Sequence, residues 1–153
     1  NSYHAVTIET DYRVTRALRL SLEYGYALRW ARGRDNFSDP AYDSLADLSS
    51  QYHRIETRAS FDMKRIIRLP VTAQVGLTYE RQAYLSGKPG DIYHYGRRDN
   101  YWKFSAELEY ELTANVGFFV HYTWEQNRTN LGETGDAGAF QTHIIGTGAA
   151  FSI

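Results

Sequence analysis

The sequence predicts an all-β fold, and within that class a transmembrane antiparallel up-and-down β-barrel, on three observations. Apolar and polar residues alternate with period two through seven segments, the connections between the segments alternate short and long, and one parity of each segment carries no charge. Period two is the side-chain repeat of a strand, whereas a helix stripe recurs at i+3 and i+4. Short and long connections in turn are the rhythm of a meander with its tight turns at one end.

The strands are expected at 2–12, 17–32, 51–63, 71–84, 100–112, 116–127 and 140–153. The first alternates His4, Val6, Ile8, Thr10 and Tyr12 with Ala5, Thr7, Glu9 and Asp11, and the second runs Leu18, Leu20, Leu22, Tyr24, Tyr26, Leu28 and Trp30 on one parity. In the third and fourth the apolar parity is odd, from Gln51 to Met63 and from Val71 to Tyr79. The fifth is the clearest: Phe104, Ala106, Leu108, Tyr110 and Leu112 alternate with Lys103, Ser105, Glu107, Glu109 and Glu111. The sixth keeps even parity from Val116 to Trp124, and the seventh keeps odd parity to the end of the chain. Enrichment in Tyr, Phe, Val and Thr favours strands throughout.

The short connections are 13–16, 64–70 and 113–115, and the long ones are 33–50, 86–99 and 129–139. Pairing Leu112 with Val116 across the 113–115 turn aligns 110 with 118, 108 with 120 and 106 with 122, so the same face meets throughout. Gly33 and Pro40 interrupt the first long connection, which is therefore read as a loop and not as an eighth strand. The three prolines, at 40, 70 and 89, all fall in connections.

At 153 residues with no break in composition, the chain reads as one unit, 1–153. Thirteen tyrosines, seven phenylalanines and three tryptophans coexist with a mean hydropathy of −0.54, so bulky rings occur in a chain that is hydrophilic on average. No run approaches the roughly 18 apolar residues of a membrane helix, and no charged-then-apolar leader opens the chain, which suggests that the numbering starts inside a mature protein. With no cysteine, a disulfide framework and a cysteine zinc site are excluded. A net charge of −1 gives no basic footprint for nucleic acid.

The 42 positions of the apolar parities hold no Asp, Glu, Lys or Arg, in a chain that is 23% charged. Such a face is either the core of a soluble sandwich or barrel, or the lipid face of a membrane barrel. Three features favour lipid. The face is too bulky for the interior of a small closed barrel. The strands, at 11 to 16 residues, exceed the soluble average of about five or six. Aromatics also gather near the long-loop side, where Trp30, Tyr79, Trp102, Tyr122 and Trp124 are the expected membrane-interface set.

The chain closes on "THIIGTGAAFSI", whose Gly148, Phe151 and Ile153 form a G-x-x-aromatic-x-apolar ending. This resembles the carboxy-terminal signal by which bacterial outer-membrane barrels are handed to their assembly machinery, although Gly146 stands where a polar residue is usual. The resemblance implies a native carboxy terminus in the outer membrane of a Gram-negative bacterium. It also implies a last strand paired with the first strand of a closed barrel. Seven strands do not make the even count of a single-chain barrel, so the expectation is the carboxy-terminal part of a larger one. Its remaining amino-terminal strands, or another chain, would complete the wall.

Residues 97–130, "RRDNYWKFSAELEYELTANVGFFVHYTWEQNRTN", resemble the closing hairpins of large porin-like barrels of envelope systems, including those tied to exopolysaccharide or surface-protein export. What that implies is a channel or conduit for passive transport or export across the outer membrane. The alternatives are a structural or adhesive barrel with a plugged lumen and partner-binding loops, a barrel hydrolase, and a soluble ligand-binding barrel.

The charged parity supplies the candidate lumen: Arg19, Glu23, Arg29, Arg54, Glu56, Arg58, Lys103, Glu107, Glu109, Glu111, His121 and Glu125, with Glu9, Asp11, Asp62 and Glu80 beside them. Acids outnumber bases, which reads as a mildly cation-preferring wall or, equally, as cross-strand ladders that brace the interior. His121 shares its side with Thr123 and Glu125 but has no serine beside it on the same strand, so no enzyme is expected. His53 and His143 point to the lipid side, where a polar tip can reach headgroups. Asp35, Asp39, Asp43 and Asp47 line the first long loop, where a short helix after Pro40 would let Asp43 and Asp47 hold a divalent ion with lipopolysaccharide phosphates. Arg97 and Arg98 are placed to meet lipid phosphates. No resident metal or cofactor is expected, and the expected partners are outer-membrane lipid, lipopolysaccharide and the assembly machinery.

Overall fold

The computed structural model describes residues 2–30, 48–87, 89–91, 93–130 and 139–151. The expected helix after Pro40, its Asp43 and Asp47, the other loop aspartates and Ile153 lie outside the described residues. Seven strands form one sheet in sequence order, every neighbouring pair antiparallel. They are β1 (Ser2–Arg13), β2 (Leu18–Trp30), β3 (Ser50–Asp62), β4 (Val71–Tyr84), β5 (Arg98–Thr113), β6 (Val116–Thr129) and β7 (Phe140–Phe151). One short helix, α1 (Lys64–Ile67), interrupts the β3–β4 connection. Among the described residues the sheet does not close: β1 pairs only with β2 and β7 only with β6.

The sequence pattern explains the register. Val6 lies opposite Tyr26, Tyr24 opposite Ile55, Ile55 opposite Tyr79, and Tyr79 opposite Trp102. Apolar positions therefore meet apolar positions across the sheet, because a one-residue slip would send each strand's side chains to the opposite face. At the β5–β6 hairpin the pairs 110–118, 108–120 and 106–122 are as expected, but Thr113 and not Leu112 stands opposite Val116. One extra residue is taken up between Glu111 and Thr113, the signature of a bulge beside a tight turn.

The short turns are built by local chemistry. Thr15 Oγ1 accepts from the backbone N–H groups of Ala17 and Leu18, and Thr113 Oγ1 accepts from that of Asn115. The β3–β4 connection was expected simply as a short turn. It contains α1, closed by Arg68 in a left-handed conformation (φ 62°) before Leu69 and Pro70 lead into β4. In the second long connection Asp91 is fully buried, and its carbonyl accepts from His94 and Tyr95 N–H. Arg97 bonds Asp99 through its Nε and Nη2 and lies over the Tyr84 ring at 5.1 Å. With Asn130 accepting from Arg98 N–H, these contacts start β5 at residue 98 and not at 100.

Among the described residues no apolar core lies between layers. Ala27 is the one buried hydrophobic residue described, while Tyr3, Ile8, Leu22, Ile55, Leu77, Leu108 and Phe118 are exposed. Along β2, β4 and β6 the residues of the charged parity are less exposed than the apolar ones that alternate with them. This inverts the usual soluble arrangement, in which the apolar positions are the less exposed.

Candidate functional site

All twelve candidate lumen residues share one face of the sheet. Hydrogen-bonded rows cross it: Glu9–Glu23–Glu56–Thr78–Lys103–Glu125–Thr142, and next to it Thr7–Gly25–Arg54–Glu80–Tyr101–Asn127–Phe140. The structure draws part of the set together. Glu56 takes the Arg54 guanidinium on one carboxylate oxygen and Arg58 Nη2 on the other at 2.7 Å. Arg54 Nε, buried and without a hydrogen bond, faces Glu80 Oε1 at 3.5 Å. Lys103 Nζ sits 3.6 Å from Glu125, and the phenols of Tyr52 and Tyr101 lie near Glu80 and Glu125. The result is a braced belt of alternating charge and phenol across β3–β6.

The rest of the set is not drawn in. Arg19, Glu23, Arg29, Glu107, Glu109 and Glu111 form no ion pair among the described residues, and Glu9, Glu23 and Glu56 are direct cross-strand neighbours of like charge. Glu56 is neutralised by its two arginines, which leaves Glu9 and Glu23 as the acidic part of that row.

His121 is placed otherwise than a His–Glu125 pair requires. Its ring stacks on Phe119 with centroids 6.2 Å apart, while Glu125 faces Lys103 Nζ at 3.6 Å. Ser105 of β5 lines the same groove as Glu107 and His121, yet no hydrogen bond joins the three. Phe119 and His121 instead lie across β7. A Cβ at Gly146 would collide with the His121 ring and one at Gly148 with the Phe119 ring, so these glycines are seats for two rings. Gly148 thus faces the charged side, and Phe151 is exposed on the apolar side.

On the apolar face Tyr79 and Trp102 pack with centroids 4.5 Å apart, and Trp30 and Trp102 are exposed. Tyr24 Oη lies 2.9 Å from His53 Nδ1, and Tyr122 Oη lies 2.9 Å from His143 Nδ1. These twin contacts expose a repeat that pattern reading missed. β3 carries Gln51, His53, Ile55, Thr57, Ala59 and Phe61 on its apolar face, and β7 carries Gln141, His143, Ile145, Thr147, Ala149 and Phe151. All six apolar-face positions agree, while the intervening Tyr52, Arg54, Glu56, Arg58 and Ser60 become Thr142, Ile144, Gly146, Gly148 and Ala150. The signal was present as Q-x-H-x-I-x-T-x-A-x-F, visible once alternate residues are read as one string.

No protein-family model, curated protein or solved structure matches the chain.

Proposed function

We propose that these seven strands are part of the wall of a transmembrane β-barrel in a bacterial outer membrane, and that the barrel is a hydrated conduit for passive transport or export. The observation that carries the reading is a pair of aromatic belts that emerges when the strands are tilted by the amount the repeat specifies. The hydrogen-bonded row through Thr57 runs by Leu77, Phe104 and Trp124 to His143, yet the twin of His143 is His53, four residues away on β3. If twin faces sit at one depth, each strand slips one residue against its neighbour. With about 3.3 Å per residue and about 4.8 Å between strands, that slip is a tilt of about 35°, within the range of membrane barrels.

The same slip then orders residues that did not define it. Tyr12, for example, shares a row with Ala59, six residues past His53, and lies two strands back, so it falls eight residues toward the short turns. Tyr110 also falls at eight, level with Phe61 and Phe151, and Phe118 at seven. At the other end His4 and Trp102 come level with His53 and His143, and Tyr26, Tyr79 and Trp124 lie one residue below. Of the expected interface set, Tyr79, Trp102 and Trp124 join this belt, Trp30 lies three residues outside it and Tyr122 three inside. Eight residues at this tilt span about 22 Å, close to the apolar band of about 25 Å between the aromatic girdles of membrane barrels.

In this reading the charged face is the lumen. Its excess of carboxylates, with Glu9 and Glu23 unneutralised, favours cations. The unpaired edges of β1 and β7 are closed by further strands of the same barrel or of another chain, since an open edge cannot face lipid. Lipid, lipopolysaccharide and the assembly machinery remain the proposed partners. A second reading rests on the Arg54–Glu56–Arg58–Glu80 belt, which also suits a plugged, structural or adhesive barrel. Planar-bilayer recording of the intact protein extracted from membranes separates the two. The conduit gives unitary steps with cation preference, which Glu9→Lys with Glu23→Lys turns toward anions. A silent bilayer with correctly inserted protein overturns the conduit.

A further inference from the structure

We propose that β2–β3 and β6–β7 carry two copies of one site for the phosphate of a lipid headgroup, formed by Tyr24, His53 and Gln51 and by Tyr122, His143 and Gln141. The inference rests on the membrane reading above and adds a ligand to its outer surface. Hydrocarbon asks only for apolarity, so it would accept Leu, Val or Phe interchangeably along a lipid face. It gives no reason for glutamine, histidine and threonine to recur at three fixed places while the lumen side of the same two strands diverges completely. A repeated polar pattern on an apolar face points to a repeated ligand.

The Tyr–His geometry is repeated in both copies. Each tyrosine hydroxyl is 2.9 Å from Nδ1 of its histidine, with ring centroids 6.3 Å apart in the first pair and 6.1 Å in the second. A neutral Tyr–His pair has two polar hydrogens and uses one in the mutual bond. Whichever tautomer forms, one N–H or O–H is left for an outside acceptor. In the second copy Gln141 also reaches His143 Nε2 at 3.2 Å.

A cation lies at the long-loop end of each copy, on a face otherwise free of charge between the belts. Arg81 is directly opposite His53 on β4. Arg128 is one apolar-face position beyond Gln126, itself opposite Gln141 on β6. Both arginines are exposed, and neither has a carboxylate partner among the described residues. A guanidinium with a directed hydrogen-bond donor, at the edge of an apolar band, matches a phosphate oxygen held at headgroup depth. The long-loop end is therefore the side on which the lipid is bound.

Native mass spectrometry of the intact detergent-solubilised protein, offered phosphatidylglycerol, lipid A or diacylglycerol, counts the bound lipids. His53→Ala is expected to remove one phosphate-bearing lipid, His143→Ala one, and the double variant two, with diacylglycerol retention unchanged. Tyr24→Phe with Tyr122→Phe keeps both rings and is expected to shorten retention about tenfold, so misfolding of an alanine variant does not decide the matter. Preference for lipid A over phosphatidylglycerol, or the reverse, identifies the source of the phosphate, and either supports the site. Equal lipid counts in all variants, or diacylglycerol held as well as the phosphate lipids, overturns it. Vesicle flotation keeps the two failures apart: wild-type protein that does not float overturns the membrane reading and the site together, whereas floating protein with unchanged lipid counts overturns the site alone.

Discussion

At the scale of single residues, neighbours one position apart lie on opposite faces of the sheet, which the proposed barrel would turn to lipid and to water. Leu77 lies between the two proposed belts, and Glu107 lies on the opposite face between Ser105 and Glu109. Leu77→Arg is therefore expected to cost about 2–4 kcal/mol, and Tyr110→Arg, at the short-turn belt, about 0–1 kcal/mol. Glu107→Gln, which breaks no ion pair, should stay within about 0.5 kcal/mol. Reversible unfolding in lipid vesicles measures all three, and equal costs for the two arginines would reject the depth assignment. Glu56 is a separate case, since its carboxylate holds two arginines at once while only 17% exposed. Glu56→Gln should cost about 1 kcal/mol, a value discounted for the exposure of both arginines. The face of each of these residues was legible from parity alone. Their pairing was not, because it depends on which strand lies opposite and by how many residues.

At the scale of elements, the strands follow the sequence to within about two residues at nearly every end, since alternation over 12 or more positions leaves little freedom. What escaped the pattern was short-range backbone chemistry. The bulge before Thr113 and the helical turn α1 each span too few residues for any periodicity to register. Arg68, which closes α1, is the one described non-glycine residue with positive φ. Arg68→Gly should therefore stabilise the fold by about 1 kcal/mol through relief of that conformation, read as a rise in unfolding midpoint. β7 carries glycine at two positions of the charged face, Gly146 and Gly148. They are the floor on which His121 and Phe119 lie. Gly148→Val should destabilise by about 1–3 kcal/mol, since the Phe119 ring has to leave its seat. A neutral result would mean that the ring moves without loss.

At the scale of the whole molecule, the tilt is the quantity on which depth, belts and twin sites all depend, and the chain's lack of cysteine makes it measurable. A single introduced cysteine carries a spin label to one known position, and relaxation by oxygen against a polar reagent reports its depth in the bilayer. Ile55 and Gln141 lie on one hydrogen-bonded row, through Tyr79, Trp102 and Gln126. Ile55 and Ile145 are instead twins in the repeat. Strands perpendicular to the membrane would put labels at 55 and 141 at equal depth. Strands slipping one residue per step put 55 and 145 at equal depth and 141 nearer the long-loop surface by four residues, about 11 Å along the membrane normal at this tilt. The sign matters as much as the size: the opposite tilt would bury 141 more deeply than 55 and disperse both aromatic belts. A match between 55 and 145 would fix the slip at one residue per strand, the value from which strand number and barrel radius become linked. A match between 55 and 141 would leave the Gln-His-Ile-Thr-Ala-Phe repeat with no common depth, and the proposed wall would lose its main support.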